Sequence, residues 1–255
     1  MFFDTHAHYD DRHFDSDRDE LLPALAAAGV ELIVDPGCDT ESSRAALALA
    51  ERWPFVYAAV GVHPEEMAHD PCELGVIREL ARHPKCVAIG EVGLDYYWDR
   101  EHKAEQQKLF RAQIELAMEL GKPVIVHDRD AHGDCLAIAR DYPGARGVFH
   151  CFSGSLEMAE ELLALGWYLG FDGPITYKNA RRALEVLALC PPERILMETD
   201  SPYLSPEPLR GRRNDSRNLV CVAEKIGELK GLTAAEAARL CLENGRRLFG
   251  LEAAP

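Results

Sequence analysis

The segment Phe2-Phe3-Asp4-Thr5-His6-Ala7-His8 is the most informative for predicting the fold, because it joins a short apolar strand directly to two histidines. In an extended chain, residues two apart point to the same side, so His6 and His8 are placed to bind one metal ion together. An H-x-H pair alone is as often structural or solvated. A doubly wound open sheet, the rival architecture, more often carries a glycine-rich phosphate loop at this point. The histidines instead favour a barrel whose active site lies at the carboxyl ends of its strands.

Further apolar runs, rich in Val, Ile and Phe, follow along the chain, as in parallel strands buried on both faces. The eight predicted strands are residues 2–5, 31–36, 56–62, 86–92, 123–127, 147–151, 167–171 and 195–199. Helical segments separate them, including residues 101–120, which end at Gly121, and a last helix opened by a capping box from Thr233 to Glu236. Eight βα units in 255 residues predict an α/β fold, a single-domain (β/α)8 TIM barrel over residues 1–255.

The composition of the chain restricts the kinds of molecule that it can bind. The 47% hydrophobic fraction is enough for one large core, and the net charge of -15 would repel a polyanion. Any nucleic-acid contact therefore needs a local basic patch, and tight nonspecific duplex binding is not expected. The eight cysteines form no C-x-x-C pair, and the chain begins on a strand without a signal peptide. We expect reduced thiols, a cytoplasmic location, no membrane span and a monomer.

Potential metal ligands recur at or near the ends of later predicted strands: Glu91, His127, His150 and Asp200. Each has a structural alternative, since a carboxylate also pairs with arginine and a lone histidine is more often a satisfied barrel residue. Their coincidence with His6 and His8 instead favours one or two divalent ions. A carboxylate bridges two cations, which a neutral imidazole cannot do, so Glu91 is the predicted bridge. Asp200 is predicted to contact metal and to accept a proton from water.

Other side chains are predicted to face the same rim. His63 follows the third predicted strand, and we predict a catalytic or substrate-binding role for it; orienting a neighbouring side chain is the alternative. Arg129 is a candidate for contact with an anionic group. Tyr96, Tyr97 and Trp98 would either stack on bases or pack against the barrel.

A cluster of arginines in the glycine-containing loop 209–218 is unusual in so acidic a chain: Arg210, Arg212, Arg213 and Arg217. Guanidinium groups suit phosphate, so we predict substrate contacts at Arg210, Arg212 and Arg213. A solvated loop that balances nearby acids is the alternative. The chain contains no P-loop, no G-x-G-x-x-G motif and no nucleophile elbow.

Six segments together resemble the TatD family of metal-dependent deoxyribonucleases, within the amidohydrolase-like barrels. They are residues 4–8, 61–64, 90–96, 127–131, 150–154 and 198–204. The resemblance implies a (β/α)8 barrel and a divalent-metal hydrolase, usually assigned to DNA. The positions that match the family's metal ligands are His6, His8, Glu91, His127, His150 and Asp200. One segment departs from the family pattern Arg-Asn-Glu-Pro, since Asp215 and Ser216 replace the last two residues. The substrate contacts of that loop are therefore not carried over.

We predict a nuclease that hydrolyses phosphodiester bonds of single-stranded DNA with metal-activated water. One ion would be held by His6, His8 and Asp200 and the other by His127 and His150, with Glu91 between them. Mg, Mn or Zn are the candidate ions. The same ligands suit a carbonyl hydrolase, such as a D-aminoacyl-tRNA deacylase, which is the main alternative. A non-catalytic metal-binding scaffold is the third.

Overall fold

The computed structural model describes residues 1–67, 69 and 74–251. Within them, eight parallel strands form one sheet in chain order, as predicted for the barrel. The strands are β1 (Phe2–Asp4), β2 (Val30–Pro36), β3 (Val56–Val60), β4 (Cys86–Asp95), β5 (Val124–Arg129), β6 (Gly147–Phe149), β7 (Tyr168–Phe171) and β8 (Ile195–Met197).

Helices alternate with these strands along the chain. The α-helices are α1 (Arg18–Ala27), α2 (Thr40–Arg52), α3 (Leu74–Leu80), α4 (Lys103–Leu120), α5 (His132–Asp141), α6 (Leu156–Ala164), α7 (Arg181–Leu189), α8 (Leu219–Lys230) and α9 (Ala234–Phe249). Short 3-10 helices lie at Arg12–Phe14, Pro64–Glu66, Gly173–Thr176, Pro192–Arg194 and Ser216–Asn218. Helix α4 ends at Gly121 in the left-handed region, and the Thr233–Glu236 capping box opens α9, both as predicted.

The strand predictions overlap every observed strand, and the largest difference is in β4. That strand was predicted to end at residue 92, but it continues to Asp95, which pairs with Arg129 of β5. Glu91 therefore lies inside a strand rather than at its end. The extension depends on a pairing partner more than 30 residues away, which local sequence does not reveal.

The barrel closes between β8 and β1 through bonds that lie just beyond the strand ends. The amide of Thr5 donates to the carbonyl of Met197 at 3.2 Å, and the amide of Asp200 donates to the carbonyl of His6 at 2.9 Å. Ala7 and Ser201 form an isolated parallel bridge. Because the seam runs through these residues, the same backbone bonds that close the barrel bring the first and last predicted ligands together.

A buried carboxylate reinforces this seam. Asp4 is fully buried and accepts hydrogen bonds from the Thr199 amide at 3.0 Å, the Thr199 hydroxyl at 2.6 Å and the Ser216 hydroxyl at 2.6 Å. The Ser216 amide donates to the Tyr9 hydroxyl at 2.9 Å, a bond that proline could not make. The departure from the family pattern at this position is thus used by the fold.

Apolar side chains fill the end of the barrel at which the strands begin. Phe3 belongs to the apolar cluster inside the barrel, which Leu242, Leu248 and Phe249 of α9 also join. The rings of Phe3 and Phe249 lie 5.9 Å apart. Helix α9 therefore covers this end, and the carboxyl end of the barrel remains as the open mouth.

Two further expectations from the sequence concern membrane spans and the state of the cysteines. Among the described residues, no helix is long and apolar enough to cross a membrane. The seven described cysteines are all free, and Cys72 lies outside the described residues.

Candidate metal centre

A bulge in β4 positions Glu91. Ile89 pairs with Val124 and Val92 with Val126, so β4 has one more residue than β5 over this interval. Such a bulge re-aims side chains and is common beside active sites. Gly90 makes the close approach possible, because a Cβ atom there would lie 2.7 Å from the Cβ of Ile125. Glu91 consequently points into the mouth although it belongs to a paired strand.

The two carboxylate oxygens of Glu91 face different histidines. Its Oε2 lies 3.1 Å from His6 Nε2 and 3.5 Å from His8 Nε2. Its Oε1 lies 2.9 Å from His127 Nδ1 and 2.8 Å from His150 Nε2. The side chain therefore sits between two histidine pairs, as a bridging ligand would.

Asp200 completes the first of these groups. Its Oδ1 lies 3.6 Å from His6 Nε2 and 3.5 Å from His8 Nε2. Asp200 has a φ of 55°, in the left-handed region, where aspartate and asparagine are enriched among residues other than glycine. All six predicted ligands are thus brought together around Glu91, and the ring of His6 also stacks on that of His150, with centroids 4.0 Å apart.

The donor set fits divalent metal ions. The Nε2 atoms of His6 and His8 approach to 3.1 Å, and His150 Nε2 lies 3.4 Å from His127 Nδ1. Lone pairs at these separations repel each other unless a proton or a cation lies between them. Imidazole nitrogen with carboxylate oxygen is the ligand chemistry of Zn, Mn and related ions.

The outer ring nitrogens explain how several imidazoles are oriented. His8 Nδ1 donates to the carbonyl of Pro36 at 3.1 Å, and His127 Nε2 donates to Asp95 at 2.9 Å. His150 Nδ1 lies 3.7 Å from Glu198 Oε1. An acceptor on the outer nitrogen leaves the inner nitrogen with its lone pair free for a metal.

In His63, by contrast, the ring nitrogen that faces the centre carries the proton. Its Nδ1 accepts a hydrogen bond from the Glu65 amide at 3.2 Å, so its Nε2 carries the proton. That Nε2 lies 3.6 Å from Glu91 Oε1. His63 therefore reaches the centre as a hydrogen-bond donor, which does not suit a metal ligand.

The close packing of these charged side chains shifts their pKa values. Burial raises the pKa of Glu91, but the charges of His150 and His6 and the bonds from His127 and His150 hold it well below its ordinary value. Burial lowers the pKa of His127, but bonds to Asp95 and Glu91 raise it to about 9. When no cation is bound, protons fill the centre, so metal binding must release protons and weakens as the pH falls.

Sequence reasoning missed the carboxylates that support the histidines. Asp95 lies beyond the predicted end of the fourth strand and Glu198 inside the eighth predicted strand, and neither was predicted to have a role in the site. Glu198 accepts from the Cys151 amide at 2.5 Å and the Thr5 hydroxyl at 3.3 Å. A Cβ on Gly170 would lie 2.5 Å from the Glu198 carboxylate, so glycine makes room for it. The signal available in sequence was an acid two residues before Asp200.

The four arginines of loop 209–218 differ in whether they form ion pairs with described carboxylates. Arg213 forms a two-point ion pair with Asp17 at 2.8 and 2.5 Å, and Arg217 pairs with Asp215 at 2.7 Å. Arg210 packs over the Tyr177 ring at 4.4 Å. With the carboxylates that the structure describes, neither Arg210 nor Arg212 forms an ion pair. These two line a groove of about 470 Å³ next to the mouth.

We expect Asp95→Asn to weaken metal binding about 10- to 100-fold, the usual cost of losing a partner that orients a ligand. The change removes the acceptor for His127 Nε2. The matched control is Asp99→Asn in the same loop, since Asp99 also accepts backbone amides but pairs only with exposed His102. Metal affinity would be measured by competition with a chelator. Equal affinities in the two variants would contradict the orienting role.

Comparison with known proteins finds relatives that match nearly the whole chain. Residues 3–250 match the family described as TatD related DNase. The chain is 45% identical over 254 residues to the uncharacterized metal-dependent hydrolase YabD of Bacillus subtilis (strain 168), covering 98% of this chain and 99% of that one. It is 39% identical over 262 residues to the 3'-5' ssDNA/RNA exonuclease TatD of Cronobacter sakazakii, covering 95% and 98%. The crystal structure of YJJV, a TatD homolog from Escherichia coli K12, superposes with a TM-score of 0.92 at 34% identity, covering 98% of each chain.

Proposed function

Since the chain belongs to the family of TatD-related DNases and is a metal-dependent hydrolase, we propose that it hydrolyses phosphodiester bonds of single-stranded DNA. The observation that carries the proposal is the position of Glu91, whose two oxygens face two separate histidine pairs in a mouth flanked by Arg129, Arg210 and Arg212. The Cronobacter sakazakii relative, which is named a 3'-5' ssDNA/RNA exonuclease, supports the same substrate class.

The proposed ligands form two groups that share Glu91. His6, His8 and Asp200 face its Oε2, and His127 and His150 face its Oε1. Divalent ions, when bound there, would lower the pKa of a water molecule and offset charge on phosphoryl oxygens. Because most donors are imidazoles, we expect Zn or Mn to be held more tightly than Mg, which prefers oxygen.

Asp200 is the proposed proton acceptor. Its side chain is 14% exposed, against 4% for Glu91, so it is the carboxylate of the centre that water reaches more easily. Burial raises its pKa, but the bond from His8 and the charge of His6 bring the pKa below its ordinary value. Asp200 is therefore ionised at neutral pH and able to take a proton from water.

His63 is the proposed donor to a phosphate oxygen. Burial, and then repulsion from His127, lower its pKa to about 3. His63 is therefore neutral at the pH of turnover and holds its proton on Nε2, where it can bind an oxygen of the substrate. We accordingly assign it to positioning the phosphate rather than to protonating the leaving group.

Phosphates on either side of the reacting one would meet three arginines that form no ion pair within the described residues. Arg210 and Arg212 lie in the loop after β8, and Arg129 ends β5. Arg213, predicted as a contact, is held by Asp17, so we narrow the proposal to the other three. In a chain of net charge -15, such local cations are needed to hold a polyanion.

The proposal is tested by turnover of the purified protein, stripped of metal and resupplied with Mg, Mn or Zn. End-labelled single-stranded DNA and a D-aminoacyl-tRNA would be offered in parallel. We expect metal-dependent shortening of the DNA. Deacylation without shortening would move the function to the carbonyl hydrolases, and turnover of neither would favour a scaffold.

Charge reversal in the same assay locates the substrate. The double change Arg210→Glu and Arg212→Glu should weaken DNA use, while turnover of a small neutral ester should be unaffected. Arg82→Glu is the matched control, since Arg82 is exposed and precedes β4 at the other end of the barrel. Equal turnover of DNA by the two variants would show that loop 209–218 does not contact the substrate.

A further inference from the structure

Two aromatic side chains stand exposed at the barrel mouth. Tyr97 and Trp98, between β4 and α4, are 49% and 62% exposed. Their rings are 4.9 Å apart and nearly perpendicular, at 85°. The preceding residue differs, because Tyr96 is buried and its hydroxyl bonds Asp134 at 2.7 Å. Of the three aromatic residues in this run, one anchors the loop and two present their rings to solvent.

One carboxylate fixes this pair relative to the metal centre. Asp95 Oδ1 accepts from the amides of Tyr97 and Trp98, each at 2.9 Å. Its Oδ2 accepts from His127 Nε2 at 2.9 Å. The aromatic pair is thus tied to a proposed metal ligand through a single side chain, so its position is set together with the chemistry.

A cation accompanies the rings. The Arg129 guanidinium lies 4.1 Å from the Tyr97 ring centre and 5.6 Å from that of Trp98. It forms no ion pair with a carboxylate of residues 1–67, 69 or 74–251. Arg100, which donates to the Tyr96 carbonyl at 2.8 Å, and Lys103, 4.2 Å from the Tyr96 ring, add positive charge nearby. Among the described acids, Asp130 faces this patch 3.7 Å from Arg100, and the charge of Arg129 also acts on Glu65, where it partly offsets the rise in pKa that burial causes.

We infer that Tyr97, Trp98 and Arg129 form a subsite for one unpaired nucleotide, with the base stacked on the exposed rings and the phosphate held by the guanidinium. Aromatic stacking is the sequence-tolerant way in which proteins bind single strands, and arginine adds to it. The inference rests on the proposed function and deepens it. A base inside a duplex has both faces covered by its neighbours, so this subsite selects unpaired strands.

The subsite also accounts for the charge of Arg129, which forms no ion pair within the described part of the chain and lies beside exposed rings. A partner that bound only through apolar contact would leave the Arg129 charge to be desolvated without compensation. A nucleotide supplies both a flat ring and an anion. The charge and the rings therefore favour a nucleotide over an apolar peptide as the occupant.

The test compares binding of three ligands to protein carrying Asp200→Asn, which slows cleavage during the measurement. The ligands are a ten-residue thymidine oligonucleotide, an abasic oligonucleotide of equal length and charge, and a blunt duplex. We expect Trp98→Leu to weaken binding of the thymidine strand about 10-fold or more, since stacking contributes roughly 1–3 kcal/mol per base. Binding of the abasic strand should not change. Arg129→Gln should weaken binding of both.

A matched control separates stacking from loss of a large side chain. Trp53 also carries an arginine over its ring, Arg52 at 5.2 Å, but it follows α2 on the far side of the barrel. Trp53→Leu should leave binding of all three ligands unchanged, and Trp98→Phe should restore most of the thymidine affinity. Equal losses for thymidine and abasic strands would overturn the inference.

Failure of the subsite differs from failure of the proposed function. If the unsubstituted protein cleaves the thymidine strand and Trp98→Leu neither weakens its binding nor raises KM, the subsite is wrong and the nuclease stands. If the unsubstituted protein neither binds nor cleaves any oligonucleotide, while it still hydrolyses bis(p-nitrophenyl) phosphate, both proposals are overturned and the hydrolytic centre remains.

Discussion

Replacing Glu91 with glutamine is expected to lower turnover about a thousandfold or more and to cost the protein at least one bound metal ion, because each ion supplies several kcal/mol of transition-state stabilisation. Glutamine keeps the shape of the side chain. It offers one oxygen and one NH2 group, however, where the structure has an oxygen facing each histidine pair. An NH2 group cannot act as a ligand, so one pair loses its shared carboxylate.

The measurement is metal content after equilibrium dialysis, together with turnover on a single-stranded oligonucleotide. Glu66→Gln is the matched control, since Glu66 lies at the same rim in the 3-10 helix Pro64–Glu66 and is outside the proposed ligand set. That variant should keep its metal and its activity. If Glu91→Gln retained two ions with near-normal turnover, the bridging role would be wrong.

The residues that gather at the mouth could be predicted from sequence because parallel strands place their carboxyl ends at one edge, although their role as metal ligands stays a prediction. An acid or histidine after an apolar run then needs only the barrel topology to be brought to the mouth. His127 and Asp200 were found in this way. What orients them depends on contacts that a local pattern does not contain.

Asp95 and Arg213 illustrate that limit. Asp95 reaches His127 only because β4 continues three residues past its predicted end, and that extension requires pairing with β5. Arg213 looked available for phosphate because its partner, Asp17, is 196 residues away in sequence. In both cases long-range geometry decided the role, and residue type alone did not.

Position within the fold also decided between two readings of the aromatic run. The sequence offered stacking or packing for Tyr96, Tyr97 and Trp98 as a group. The structure separates them, because the Tyr96 hydroxyl is bonded inward while the next two amides are bound by Asp95 and their rings point outward. The run thus combines one packed side chain, Tyr96, with two exposed rings that are free to stack as we propose.

Asp200→Asn is expected to lower turnover by about 10²- to 10⁴-fold, the usual contribution of a positioned proton acceptor. Asparagine keeps an oxygen that can face His6 and His8, so much of the metal should remain bound. It is also at least as tolerant of the left-handed backbone that Asp200 adopts, with its φ of 55°. The loss should therefore come from the missing base and not from the backbone.

Asp130→Asn is the control that isolates this effect. Asp130 also has a φ of 55° and lies near the mouth, where it faces Arg100 at 3.7 Å. Any cost of placing asparagine in that conformation appears in both variants, whereas loss of a proton acceptor at the centre appears only in Asp200→Asn. Turnover and metal content measured on the same samples separate the two roles of Asp200. Loss of metal in proportion to activity would make it a ligand only, and near-normal turnover with metal bound would assign the proton to another group.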